Sequence, residues 1–168
     1  KGELSWNDLE DMLSGFAYDA YYNHSAQSAK NYFLVWDYAI NQGFAFGSGM
    51  GTNHHYGYQV RKIYTTAWLM RDAIWKAPNR DNILSALIFW SALQETRIPF
   101  QYGRDELLDS WHTLLMAKTV SALLFVDERE RARALAGLSR WLSGSLQYSP
   151  GTIGGIKVDG TTFHHGGF

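Results

Sequence analysis

Two short segments of the chain each place a pair of adjacent histidines beside glycine. They are residues 52–61, with His54 and His55, and residues 159–168, with His164 and His165. Histidine is the side chain whose unperturbed pKa lies nearest neutrality, so it suits proton transfer and metal binding. These two segments are therefore the first places to look for chemistry.

A metal site is one interpretation of the four histidines. Adjacent residues on a helix point about 100° apart, so a His-His pair rarely supplies two ligands to one ion. The chain contains neither an H-E-x-x-H motif nor any cysteine. Four histidines from two loops could still meet around a metal, and imidazoles that only hydrogen-bond loop backbone are a further alternative. We expect no metal at these residues.

Other kinds of catalysis have weaker support. There is no G-x-S-x-G turn, and the Gly47-Ser48-Gly49 stretch lacks the lysine that a phosphate-binding loop needs. A glycoside hydrolase needs two carboxylates beside its cleft, and the two histidine segments offer only Asp159.

Composition narrows the class of ligand. The chain has 15 basic and 16 acidic residues, a balance that argues against a nucleic-acid partner but leaves room for a few local cations facing an anionic sugar polymer. Seven Trp, ten Tyr and nine Phe exceed what packing requires, and such rings offer flat faces for sugars. No run of 18 apolar residues exists, so we expect no membrane span.

Hydrophobic spacing predicts an all-α fold with six helices in one domain, residues 1–168. Short connectors between the helices favour antiparallel hairpins, as in a bundle or an α/α toroid. The predicted helices begin near Ser5 or Asn7, at Ser25, near Tyr58 (ending near Lys76), at Asp81 (ending near Gln94), at Asp105 and at Asp127. Residues 148–168 are predicted to form a loop or short β turn because Gly, Pro and Thr replace the helix formers.

The same spacing predicts which side chains form the core. The predicted set is Leu9, Phe16, Trp36, Ile63, Trp68, Leu115, Leu123 and Leu138. The charged run from Asp127 to Arg133 is interpreted as a solvated helix start, with acids favoured by the helix dipole.

Residues 41–48, followed by His54-His55-Tyr56-Gly57-Tyr58 and Arg61, resemble a segment of the chondroitin-sulfate ABC lyases of polysaccharide lyase family 8. The later Asp159-Gly160-Thr161 and His165-Gly166 pattern is similar to the same family's catalytic loop. Both segments occur in the family's order. The resemblance implies part of a catalytic α/α toroid, with residues 148–168 as the active-site loop.

The resemblance also implies a reaction, which is β-elimination at a uronic acid without a covalent intermediate. The proton on C5 is barely acidic while the neighbouring carboxylate is charged, so the site needs donors at the carboxylate, a base near C5 and an acid near O4. By match to the family, His54 contacts the uronate and His165 serves as a base. Asn53, His55, Tyr58, Arg61 and His164 are expected to lie near the substrate, with His164 not essential.

In the family a catalytic tyrosine follows the loop histidine by several residues, whereas this sequence ends at Phe168. We therefore expect the rest of the same polypeptide to complete the site, and these 168 residues alone to bind weakly and catalyse nothing.

The expected substrate is chondroitin or dermatan sulfate, with hyaluronan as a further candidate. No cofactor is required, although a structural divalent cation elsewhere is compatible with the family. The expected location is secreted or periplasmic in a bacterium. The alternative is a noncatalytic helical carbohydrate-binding module.

Overall fold

The computed structural model describes residues 5–48, 60–101 and 107–163. Within these ranges the fold is all-α, as predicted, with seven α-helices, one 3-10 helix and two very short strands. In chain order the elements are α1 (Trp6–Tyr22), α2 (Ala26–Asn41), α3 (Arg61–Leu69), α4 (Arg71–Lys76), α5 (Arg80–Trp90), the 3-10 helix (Leu93–Arg97), α6 (Leu107–Leu123), α7 (Glu128–Ser145), β1 (Gly155–Ile156) and β2 (Thr162–Phe163).

Three of the predicted helix starts are confirmed by their capping bonds. The Ser5 hydroxyl accepts from the backbone N–H of Asp8, whose carboxylate accepts in return from the Ser5 N–H, which is a complete capping box on α1. The Ser25 hydroxyl caps α2, and the carboxylate of Asp127 accepts from the Glu130 N–H at 2.9 Å to start α7.

The predicted third helix is not continuous, because it breaks at Met70 into α3 and α4. The side chain of Thr66 donates to the carbonyl of Ile63 at 2.8 Å, and Thr65 donates to the carbonyl of Arg61 at 3.2 Å. Hydroxyls that bond the preceding turn compete with the helix and bend it. Two consecutive threonines in the last turns of α3 account for the interruption.

The predicted fourth helix also ends early, at Trp90 rather than Gln94. Ala92 takes a left-handed conformation with φ of 53°, which closes α5 and starts the 3-10 helix. The ammonium of Lys118, fully buried in α6, donates to the carbonyls of Ser91 and Ala92 at 3.1 and 2.8 Å. These bonds satisfy carbonyls that the helix end leaves open.

The core is one continuous cluster to which α1 to α6 all contribute, with a smaller cluster around Leu138 and Trp141 of α7. In the main cluster Trp36, Phe44 and Trp90 stack in sequence, with ring centroids 5.7 and 5.6 Å apart. The aromatic excess of the sequence is thus divided between packing and surface, since seven described aromatic side chains are exposed. They are Tyr18, Tyr21, Tyr22, Tyr38, Phe46, Trp68 and Tyr148.

The predicted core is confirmed at Leu9, Trp36, Ile63 and Leu138, which are buried, while Phe16, Leu115 and Leu123 are half-buried. Trp68 was predicted to be buried, and this is wrong. Its indole is 37% exposed, with the guanidinium of Arg71 4.4 Å from the ring centroid. The break at Met70 turns the chain so that Met70 and Ile74, not Trp68, enter the core.

Candidate functional site

Six of the seven candidate site residues lie outside the described residues. They are Asn53, His54, His55, Tyr58, His164 and His165. The expectation that His54 and His165 approach one groove therefore stays a prediction. The structure does describe Arg61 and the elements to which both histidine segments attach, so the site is built from those.

The segment 52–61 leads into the first turn of α3, and neighbouring helices hold that turn on two sides. From α1, the buried carboxylate of Glu10 accepts from the backbone N–H of Lys62 at 2.8 Å. From α6, the carbonyl of His112 accepts from the guanidinium of Arg61 at 3.3 Å. The N-cap residue of α3, Val60, makes no side-chain capping bond. Glu10 therefore supplies the cap from another helix.

Burial raises the pKa of Glu10, while the Lys62 N–H and the nearby Lys62 charge partly oppose that rise. A carboxylate at a helix N-terminus is favoured by the helix dipole, yet this one is only 5% exposed. Burial outweighs the opposing effects, so Glu10 is the one described glutamate whose pKa is raised. Its role at the site is to fix where α3 begins.

The segment 159–168 is reached through the C-terminal end of α7. There the indole N–H of Trp111 donates to the hydroxyl of Ser145, the last residue of α7, at 2.9 Å. Trp111 and His112 are adjacent in α6. The start of α3 and the end of α7 therefore attach to neighbouring residues of one helix.

Between α7 and β2, a single lysine organises the loop. The ammonium of Lys157 donates to the hydroxyl of Ser149 at 2.9 Å and to the carbonyls of Gly151 and Ile153 at 2.8 and 2.5 Å. The same ammonium lies 5.2 Å from the centroid of the Phe163 ring. Lys157 thus links residues 149–153, which follow α7, to β2, the strand that precedes His164.

The hairpin itself is closed by a turn around Asp159. The strands pair antiparallel, with Gly155 opposite Phe163, and the Lys157 N–H donates to the carbonyl of Thr161 at 2.8 Å. The Asp159 carboxylate accepts from the backbone N–H and hydroxyl of Thr161, and these bonds lower its pKa. Asp159 is therefore occupied in turn formation, which weakens its case as a hydrolytic carboxylate. The predicted loop or β turn is confirmed through Phe163.

Sequence reasoning missed both Glu10 and Lys157. Glu10 had no signal, because it sits in a helix far along the chain from α3. Lys157 had one, since it is the sole Lys or Arg in residues 148–168. A lone cation among glycines, whose exposed carbonyls need donors, is a candidate loop organiser.

Within the described ranges, no group of three or more His, Asp or Glu side chains could hold a metal ion. Among the same residues, no helix is both long and apolar enough to cross a membrane.

Comparison with known proteins connects these segments to one enzyme family. A family profile described as "Lyase, catalytic" matches residues 1–168. The chain is similar to a chondroitin sulfate ABC exolyase of Bacteroides thetaiotaomicron, 33% identical over 138 residues, which covers 81% of this chain and 13% of that protein. It is similar to a chondroitin sulfate ABC endolyase of Proteus vulgaris, 31% identical over 144 residues, which covers 84% of this chain and 14% of that protein. A chondroitin sulfate ABC exolyase of Proteus vulgaris is 31% identical over 140 residues, again 81% of this chain and 14% of that protein. The chain thus spans about one seventh of the length of these relatives.

Proposed function

Since the chain belongs to the lyase catalytic family along its whole length, we propose that it forms part of the catalytic domain of a glycosaminoglycan lyase. The proposed reaction is β-elimination at the uronic acid of chondroitin or dermatan sulfate, with hyaluronan as a further substrate. The proposed architecture is part of an α/α toroid that other segments of the same polypeptide complete. The single observation that carries the proposal is the match of the lyase catalytic profile to residues 1–168.

In this proposal the chain supplies the base and part of the carboxylate contact. His165 removes the C5 proton, and His54 donates to the uronate carboxylate so that charge developing on it is stabilised. Asn53, His55 and Tyr58 line the substrate beside His54. The positive charge of Arg61, held by the His112 carbonyl, favours the anionic polymer.

The acid that protonates O4 comes from outside this chain, in keeping with the tyrosine of the family pattern. The proposed chemistry requires no cofactor, and it is compatible with a structural divalent cation elsewhere in the full protein. The proposed location is secreted or periplasmic in a bacterium.

The test is incubation of the intact gene product with chondroitin sulfate. Elimination leaves an unsaturated uronate that absorbs in the near ultraviolet. We expect such a product from the wild type, and a roughly hundred- to ten-thousand-fold lower turnover number for His165→Ala on the epimer that His165 serves. His164→Ala is the matched control and should be far milder.

Two results would contradict the proposal. Binding without any product would identify a noncatalytic carbohydrate-binding module. New reducing ends without near-ultraviolet absorbance would identify a hydrolase.

A further inference from the structure

A groove lined by arginines lies between the 3-10 helix and α7, with a cavity volume of about 370 Å³. Three arginines line it, Arg97 in the 3-10 helix and Arg133 and Arg140 in α7. We call it the arginine groove. Along the polar stretch of α7, residues 130, 133, 137 and 140 recur at the three-to-four spacing of one helix face.

The charge of the arginine groove is positive. Glu130 is the one acidic side chain in the lining, and it pairs with Arg133 at 2.6 Å. Arg97 and Arg140 pair with no acidic side chain in the described part of the chain. The lining therefore carries two uncompensated positive charges, although the chain as a whole has a net charge of −1. A surface with this local excess attracts anions.

The floor of the groove is fixed and narrow. Gly137 is buried, and a Cβ added to it would lie 3.1 Å from the carbonyl oxygen of Thr96. A residue with a Cβ here would require the Thr96 backbone to move by a few tenths of an ångström, so glycine favours the close approach of α7 to the 3-10 helix. The walls include the apolar side chains of Ile88, Leu93 and Phe125. A lining that combines apolar side chains with arginines matches a sugar ring that carries anionic substituents, because the ring has apolar faces and the anion accepts paired N–H bonds.

We propose that the arginine groove is a second glycosaminoglycan-binding site, which holds sulfated sugar residues of the polymer away from the reacting uronate. Arg133 and Arg140 are two helical turns apart, so the groove follows α7 for roughly 10 Å. The C-terminal end of α7 is where the histidine-bearing loop begins. A polymer bound along the groove is held by the same helix that leads to that loop. The choice of ligand rests on the proposed function, whereas the existence of an anion site rests on the groove alone.

The test measures binding of a chondroitin sulfate oligosaccharide by calorimetry, using the intact gene product with His165→Ala to suppress turnover. In that background we expect Arg97→Ala/Arg140→Ala to weaken binding by on the order of tenfold at low salt. The matched control is Arg129→Ala, an exposed arginine of α7 that does not line the groove. It should change the affinity less than twofold. Arg140→Lys, which keeps the charge but not the planar fork, should give an intermediate affinity.

Further arms separate the sources of the anion. Sulfated oligosaccharide should bind more tightly than unsulfated chondroitin of equal length, and the double substitution should shrink that difference. Sodium sulfate that displaces the oligosaccharide completely, where sodium chloride of equal ionic strength does not, would show a simple anion site and overturn the proposal. So would a double variant that binds as tightly as Arg129→Ala. A double variant that lowers the melting temperature with no loss of affinity would show that other polypeptide covers the groove, and would also overturn it.

The two proposals fail in different ways. If the wild type forms no unsaturated product but the double substitution still weakens binding, the lyase function is lost and the arginine groove stands. If product forms and the double substitution leaves binding unchanged, the lyase function stands and the arginine groove is refuted as a binding site.

Discussion

Replacing Lys157 by methionine should release the loop that leads to the histidine-bearing strand. Methionine keeps most of the length of the side chain but removes all three donors to residues 149–153. Hydrogen bonds from a charged group contribute about 1.5–3 kcal/mol each, and bonds that water can replace contribute less. Because Gly151 is exposed and both Lys157 and Ile153 are only half-buried, water can replace part of these bonds, and we expect the loop to lose about 2–4 kcal/mol in total, less than the simple sum.

Amide hydrogen exchange measures that loss directly, because it reports local opening. A change of about 2–4 kcal/mol corresponds to roughly 30- to 700-fold faster exchange. The expected effect is confined to the amides that close the loop, which are Ser149 bonded to Ile156, Ile153 to Pro150, Lys157 to Thr161 and Gly160 to Lys157. The helices should exchange as in the wild type. Lys30→Met, at an exposed lysine of α2, is the control and should alter no amide of residues 148–163.

Activity supplies a second readout. If the loop positions His165, Lys157→Met should lower the turnover number on chondroitin sulfate much more than it changes KM, and Lys157→Arg should restore part of the loss. Unchanged exchange in residues 148–163 would refute the reasoning, because it would mean that the three bonds do not hold the loop. Faster exchange with full activity would show that Lys157 holds the loop but does not affect catalysis.

Two further predictions concern stability. Gly15→Ala in α1 should raise the free energy of unfolding by about 1 kcal/mol, and the melting temperature with it, because helix propensity improves and the added Cβ meets nothing within 4 Å. Gly137→Ala should lower the melting temperature, because its Cβ would lie 3.1 Å from the carbonyl oxygen of Thr96. Equal gains in both variants would contradict the close approach of α7 to Thr96. For Glu10, whose pKa is raised by burial, the folded protein holds the proton more tightly than the unfolded chain, so its contribution to stability falls as pH rises from the unfolded value through the folded pKa. Glu10→Gln keeps an acceptor for the Lys62 N–H, and its melting temperature should exceed that of the wild type at pH 7 but equal it below about pH 4. A difference in melting temperature that does not change with pH would show that burial does not destabilise the carboxylate.

Local signals in the sequence were enough to predict most of the fold. Ser5, Ser25 and Asp127 each carry a side-chain acceptor at a helix start, and those starts were predicted because capping depends on residues three or four positions apart. The interruption at Met70 and the early end of α5 were not predicted. The early end of α5 depends on a tertiary contact, the donation from Lys118 to Ser91 and Ala92, which no local pattern contains. The interruption at Met70 follows two threonines that bond the preceding turn, a local signal that the hydrophobic spacing does not include.

The candidate site divides in the same way. Its histidines were found because their type and order resemble a family, which is information about chemistry. The residues that hold its framework, Glu10 and Lys157, act through single contacts with distant or irregular backbone. The charged run at the start of α7 was interpreted only as a solvated face, because the partner that turns it into a groove, the 3-10 helix, lies thirty residues earlier in the chain.

The cap that Glu10 places on α3 has a consequence for communication within the molecule. Thermodynamic coupling is reciprocal, so whatever steadies one partner of a contact also steadies the other. A ligand that binds at the histidine segment and stabilises the first turn of α3 would, through the bond from the Lys62 N–H, also stabilise Glu10 in α1. Ligand binding at residues 52–61 would then change the proton affinity of the buried Glu10 carboxylate, although α1 contributes no candidate site residue.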